Sequence, residues 1–482
     1  MSNSISRKVA GVCGALAMLV SLAGCEDKPG ATTELDLTSV NCPEGLGWAE
    51  GLEAYLDPAA MMDVNTSAEA DDCQFNQWSW ETFIWATAEV GENNAPRFLG
   101  WKTPDDLIPT KGDAPRTPGL LRLEGHMKPL HMPGVANRDG AIVEADGSML
   151  IGRNGYPVYA SVHMTDGFFA TVQRNLIATG AYESNPNQDD YFSVGDAVVK
   201  ATWYRLDEGE SAPEGAYTTQ AEVPVLTKSC VDDVCKAVTT GQFTTVTVAL
   251  VGMHVVGYTE NHPEFLWATF EHKINAPTFA DDTFVFDASA SNPDNFTFYD
   301  ANTPMGSDTL LVRTNPSSGA VVSFDEATGK FSPMTQVVQM NRTGGDTQPD
   351  GPANITVLNQ VSQAELQSIK PGTPFQNYNL IGTTWFKPNT YVTTTEGWQN
   401  LGRGDAVGAI SLMNSTAETF LQSAKGKQGN NCFECHNAGS FSYPGIQPKA
   451  LAARRVAISH MIATGSPYDV PNSLPVEQGT EE

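Results

Sequence analysis

From Phe98 to about Leu380 the chain reads as short runs rich in Val, Tyr, Phe, Thr and Trp, cut by Gly, Pro, Asn and Asp. β-Branched and aromatic residues suit a pleated, half-buried surface, and the interrupting residues are the ones turns require, so this text commits most of the chain to β-structure. The clearest expected strands are Asp196–Leu206, Thr244–Val256 and Phe265–His272. The turn-prone Thr259-Glu260-Asn261-His262-Pro263 should join the last two as a hairpin. No repeat of roughly 20 to 50 residues, as in a solenoid or propeller, is present.

The flanks read as helical. Between Cys42 and Val90, the segment Gln74–Thr87 follows Asp71-Asp72, which can cap a helix start, and sets Phe75, Trp78 and Trp85, with Trp80 and Ile84, at helical spacing. These rings are expected as core, with an aromatic wall for a ligand as the other reading. From Leu401 onward, Ser415-Thr416-Ala417-Glu418 has the form of a capping box, and Ala417, Phe420, Leu421 and Ala424 make an apolar stripe at i, i+3, i+4 and i+7. Pro448–Ile462 could supply a second helix. The resulting expectation is an α+β chain, with a large mainly-β antiparallel domain and a small α-helical C-terminal module.

That module contains Cys432-Phe433-Glu434-Cys435-His436. Two thiols three positions apart on one turn can add to the two vinyl groups of a haem, and the adjacent imidazole then falls against the iron, which makes Cys432 and Cys435 the attachment residues and His436 the proximal ligand of one covalent haem c. A zinc site is the competing reading; it would need further ligands, and after His436 only His460 is available as a histidine. Ile458-Ser459-His460-Met461-Ile462 offers the sixth iron ligand, His460 or Met461, and neighbouring positions point in different directions, so one of them would face the iron.

At the other end, Arg7 and Lys8 precede an apolar run, Val9–Leu22, and then Leu22-Ala23-Gly24-Cys25. A basic start, a short apolar stretch and small residues at the cut describe a secretory signal. The four residues resemble the lipobox of bacterial lipoproteins, which implies cleavage before Cys25 and lipid on its sulfur; an ordinary cleaved signal is the alternative. No other run approaches the ~20 apolar residues of a membrane span. The expected organisation is residues 1–24 signal, 25–40 tether, 41–400 β-rich domain and 401–482 mono-haem module, held to a bilayer by acyl chains and facing the periplasm or the cell surface.

The eight cysteines then sort by role. Cys13 leaves with the signal, and four remain beside the lipid and haem residues: Cys42, Cys73, Cys230 and Cys235. In an oxidising compartment they suggest two disulfides, and proximity favours Cys42 with Cys73 and Cys230 with Cys235 among three connectivities. A formal charge of −28 excludes nucleic acid as a partner and favours a basic one, here a periplasmic or membrane redox protein.

Some features carry rival readings. His126-Met127, His131-Met132 and His163-Met164 could suit copper, or be hydrogen-bonded and packed residues. Asp281 to Asp300 is acidic enough for calcium, but lacks the periodicity of a calcium loop and reads as a solvated loop. Met253-His254 and Glu271-His272 could meet across the expected hairpin.

Several of these words together resemble a group of uncharacterised bacterial cytochrome c family proteins. They are Gly252-Met253-His254-Val255-Val256, Pro263 to Pro277, Val199-Lys200-Ala201-Thr202-Trp203, Trp78-Ser79-Trp80-Glu81-Thr82-Phe83 and Asn414 to Gln422. The resemblance implies a secreted haem protein and no particular substrate. The group often carries Ser-His after its haem motif, matched here by Ser459-His460, which favours His460 as distal ligand; the directly following Met461 departs from the pattern. Three functions fit: electron transfer, a haem-dependent oxidoreductase whose β-rich domain binds a small molecule, and a ligand-sensing module.

Overall fold

The structure, a computed structural model, describes residues 52–64, 72–90, 94–107, 114–123, 149–178, 192–231, 234–277, 296–300, 323–339, 351–386, 406–409, 412–422 and 432–436. Its centre is one eight-stranded sheet: β1 Leu121–Arg122, β2 Tyr159–Met164, β3 Ala197–Arg205, β4 Thr218–Val231, β5 Val234–Thr259, β6 His262–His272, β7 Tyr378–Phe386 and β8 Ala406–Gly408. The order is β8-β7-β6-β5-β3-β2, with β4 on the outer half of β5 and the short β1 running parallel to β4. Every other pairing is antiparallel, so a large mainly-β region is what this chain forms.

The expected hairpin is present as β5–β6, with Val256 opposite Trp267 and His254 opposite Thr269. β5 is longer than the run Thr244–Val256, because its outer half pairs with β4, a strand the Thr- and charge-rich text concealed. Successive side chains alternate between faces. On one face Val199, Ala201 and Trp203, Met253 and Val255, and Leu266, Ala268 and Phe270 form the main core.

Helix α1, Asp72–Thr87, closes that face. Phe83 stacks on Phe270 at 4.1 Å, Trp80 meets the same ring edge-on, and Phe75 stacks on Trp385. The aromatic helix is therefore core, as expected. Helicity does not run unbroken through its flank: Asp57–Val64 is irregular, held by Trp78 and Trp85 indole N–H groups donating to the carbonyls of Asp63 and Ala60. Longer helices also interrupt the strand-rich text, α2 Asp166–Ala178 and α3 Gly351–Ile369. α3 packs beside α1, and its buried Asn359 ties the layers together: Oδ1 accepts from the Trp80 indole and the Leu380 N–H, and Nδ2 donates to the Leu380 carbonyl.

The described residues past 400 pack on the same sheet. β8 pairs with β7, and residues 412–422 lie buried on the second face of the sheet. The amphipathic helix expected from Ser415 does not form there; the segment is a set of turns ending in a 3-10 turn, Thr419–Leu421. Its polar side chains divide between local backbone bonds, as Thr419 to the Ser415 carbonyl and Glu418 from the Asn414 N–H, and bonds to the sheet, as Ser415 to Glu271 and Glu418 from Lys200.

Candidate functional site

The Cys-x-x-Cys-His residues form a single helical turn, α4, Cys432–Cys435, and the His436 N–H donates to the Cys432 carbonyl at 2.8 Å. Attachment chemistry needs this closure, since one turn brings positions 1, 4 and 5 of the motif to one side. The turn lies on the second face of the sheet, opposite α1. Cys432 is buried as a thiol and belongs to an apolar cluster with Phe433, Val256, Phe265, Trp267, Phe386, Met164 and Phe168. Phe433 stacks on Phe386 at 4.0 Å, and the half-buried His436 imidazole packs on Trp267 with centroids 4.4 Å apart.

Both walls of this seat are fixed by one residue. The Trp267 indole N–H donates to the Glu264 carbonyl at 3.1 Å, and the Phe386 N–H donates to Glu264 Oε1 at 3.2 Å. The same carboxylate oxygen lies 2.7 Å from His262 Nδ1, and both side chains are sealed from solvent. A carboxylate buried at this depth is retained only with partners, and here they orient the two rings that receive the motif.

Beside the apolar seat, on the same face, lies a buried polar cluster. Thr269 is two residues along β6 from Trp267, and Glu271 four, or ~7 and ~14 Å at the usual strand rise. His254 Nδ1 is 2.8 Å from Thr269 Oγ1, and its Nε2 is 2.9 Å from Glu418 Oε2; Lys200 donates to Glu418 Oε1 at 2.6 Å. Glu271 accepts from the Ser415 N–H at 2.7 Å, the Ser415 hydroxyl at 2.5 Å and Gln339 at 3.3 Å. Thr202 and Thr416 share a 2.7 Å bond, and Asn414 accepts from both the N–H and hydroxyl of Thr416.

The electrostatics divide the two carboxyls. Burial would raise Glu418, but the charges of His254 and Lys200 and their hydrogen bonds hold it well below the usual carboxylate range. Burial pushes Glu271 up to about 7, the Ser415 and Gln339 bonds pull against that rise, and the nearby Glu418 charge adds to it. One carboxyl is thus a fixed anion, and its neighbour titrates near neutrality.

The sequence words that carried the cytochrome resemblance therefore meet in space. Lys200 and Thr202, Gly252 and His254, Thr269 and Glu271, and Asn414 to Glu418 come from four separate stretches and form one cluster. Sequence reading had Glu418 capping a helix and left Lys200 without a role; a lysine and a glutamate in otherwise apolar, small-residue text were the available signal. Met253-His254 and Glu271-His272 do not meet as pairs: Gly252 lies opposite Glu271, and His272 is on the other face against Tyr378. His163 and Met164 also point apart, His163 to Ser161 and Phe98, Met164 into the apolar cluster, so they do not make a shared copper site.

Cys73 and Cys230 are both disulfide-bonded, and the ladder sets Cys235 directly opposite Cys230 near the tip of the β4–β5 hairpin. Cys25, Cys42, His460 and Met461, with His126-Met127, His131-Met132 and the stretch Asp281 to Asn295, lie outside the described residues. Among the described residues no group of three or more His, Cys, Asp or Glu is arranged to hold a metal ion, and no helix is long and apolar enough to cross a membrane. In comparisons with protein families, curated proteins and solved structures, the chain matches none.

Proposed function

We propose that this protein is a single-haem c-type cytochrome of the bacterial cell envelope, anchored through a lipidated Cys25 and carrying electrons to or from a basic redox partner. The observation that carries the reading is the Cys-x-x-Cys-His turn seated with Cys432 buried and His436 against Trp267. The residues suit the group: a macrocycle needs an apolar surround, and Trp267, Phe386, Phe433 and Val256 supply one around a thiol and an imidazole held on the same turn. Haem c, when bound, supplies reversible one-electron chemistry at its iron. Cys432 and Cys435 would hold it covalently, and His436 with either His460 or Met461 would ligate its iron. The C-terminal stretch is in this reading a cytochrome c-like module built onto the sheet.

The test is haem that survives denaturation. Protein made with a bacterial haem c maturation system should keep its haem absorbance after acid-acetone extraction, and Cys432→Ala should lose it. Wild-type protein with no covalent haem overturns the reading. In the same spectra a weak far-red sulfur-to-iron band, lost in Met461→Ala, assigns Met461; its absence, with a spin-state change in His460→Ala, assigns His460.

A further inference from the structure

Glu271 is a fully buried carboxyl on the face that seats the haem motif. Its charged surroundings come from three elements: Glu418 from the 412–422 segment, His254 from β5 and Lys200 from β3. The facing positions on the other packed elements are uncharged, Gln339 by hydrogen bond, Asn379 by register on β7 and Gly252 on β5. The cluster has a rim that water reaches, because the side chains of Lys200, His254 and Glu418 keep 17%, 12% and 12% exposure. Between buried groups on one protein face, charges interact over a distance that surface salt would otherwise screen.

We propose that Glu271 is a redox-linked proton site: when a one-electron donor reduces the haem-bearing centre, the Glu271 carboxylate takes a proton from water, and it returns that proton when the centre is oxidised. The donor loses one electron, one O–H bond forms on the carboxyl, and oxidation reverses both. The reason is electrostatic. The oxidised centre has one more positive charge and favours the carboxylate, while the reduced centre favours the acid. Lys200 and His254 keep Glu418 anionic throughout, so the proton goes to Glu271. Ser415, which donates twice to the carboxylate, sets the pH at which the exchange occurs.

This inference rests on the single-haem reading, and spectroelectrochemical titration of the full-length protein across neutral pH separates the two. Absence of covalent haem in the spectrum is a failure of that reading. With haem present, the midpoint potential is expected to fall as pH rises through neutrality, with the slope lost in Glu271→Gln. Glu81→Gln should keep the slope, since Glu81 is a buried carboxyl on α1 at the opposite face, raised to about 8 first by burial. Ser415→Ala removes a donor to the anion and should move the bend to higher pH. A pH-independent wild-type potential, or a slope that persists in Glu271→Gln, overturns the proposal. If Glu271→Gln does not fold, an unmoved bend in Ser415→Ala does so.

Discussion

Gly252 is the residue through which the 412–422 segment reaches the sheet. A Cβ there would collide with Thr416 Oγ1, Thr202 Oγ1 and Asn414 Oδ1, so the segment lies against bare backbone. Gly252→Ala should therefore destabilise by about 1–3 kcal/mol, the usual cost of overpacking. Gly100→Ala, where no atom lies within 4 Å, should leave the denaturation midpoint unchanged. Equal midpoints for the two variants in urea denaturation would refute this account. The cluster was legible in the sequence only as separate words. Lys200 and Glu418 are 218 positions apart, and no local pattern announces that a lysine on one strand neutralises a glutamate so far along.

At the scale of elements, what was legible was what is local. α1 follows from its aromatic spacing, and the β5–β6 hairpin from two β-rich runs around a turn. α3 was hidden because its inward face mixes Ile355, Leu358 and Leu366 with buried Asn359 and Ser362, which breaks the apolar stripe. The helix read at Ser415 failed for the opposite reason: its hydroxyl donates to Glu271 and its partner Glu418 is engaged by Lys200 and His254, so tertiary bonds outcompeted a weak local preference. Asn359 gives the element-scale prediction. Asn359→Ala leaves the Trp80 indole and both Leu380 backbone groups without this partner, at roughly 1–3 kcal/mol for each buried group left unsatisfied. A drop in unfolding free energy with an unchanged denaturant slope is expected; a loss smaller than that of an exposed substitution such as Val361→Ala would sink the idea that α3 is tied through this residue.

For the molecule as a whole, four buried groups set opposing pH dependences. Burial raises Glu81 from 4.5 to about 8 and Glu271 to about 7, so above pH 4.5 the folded chain keeps protons that the unfolded chain has released. Those groups make stability fall as pH rises toward 8. Burial lowers His163 from 6.5 to about 3 and His272 to about 4, so below pH 6.5 the unfolded chain binds protons that the folded one refuses, and stability falls as pH drops. Between pH 4.5 and 6.5 the two pairs offset each other, giving a plateau with a decline on either side; Glu418, depressed by its partners, steepens the acid side. Urea unfolding at a series of pH values checks this. The alkaline decline should be shallower in Glu81→Gln, and a stability that rises from pH 6.5 to 8 would contradict the assignment.

The short strand β8 has a consequence for biosynthesis. Ribosomes deliver β7 well before Ala406–Gly408, and the 412–422 segment later still, so the nascent sheet waits with one edge bare and Glu271 and Lys200 lacking their counterparts. The residues that complete the sheet emerge immediately before Cys432. A ribosome that stalls or a gene truncated before Ala406 then yields a chain whose β7 edge is bare and whose Glu271 and Lys200 lack their partners, and residues 432–436 are made only after the segment that completes their sheet.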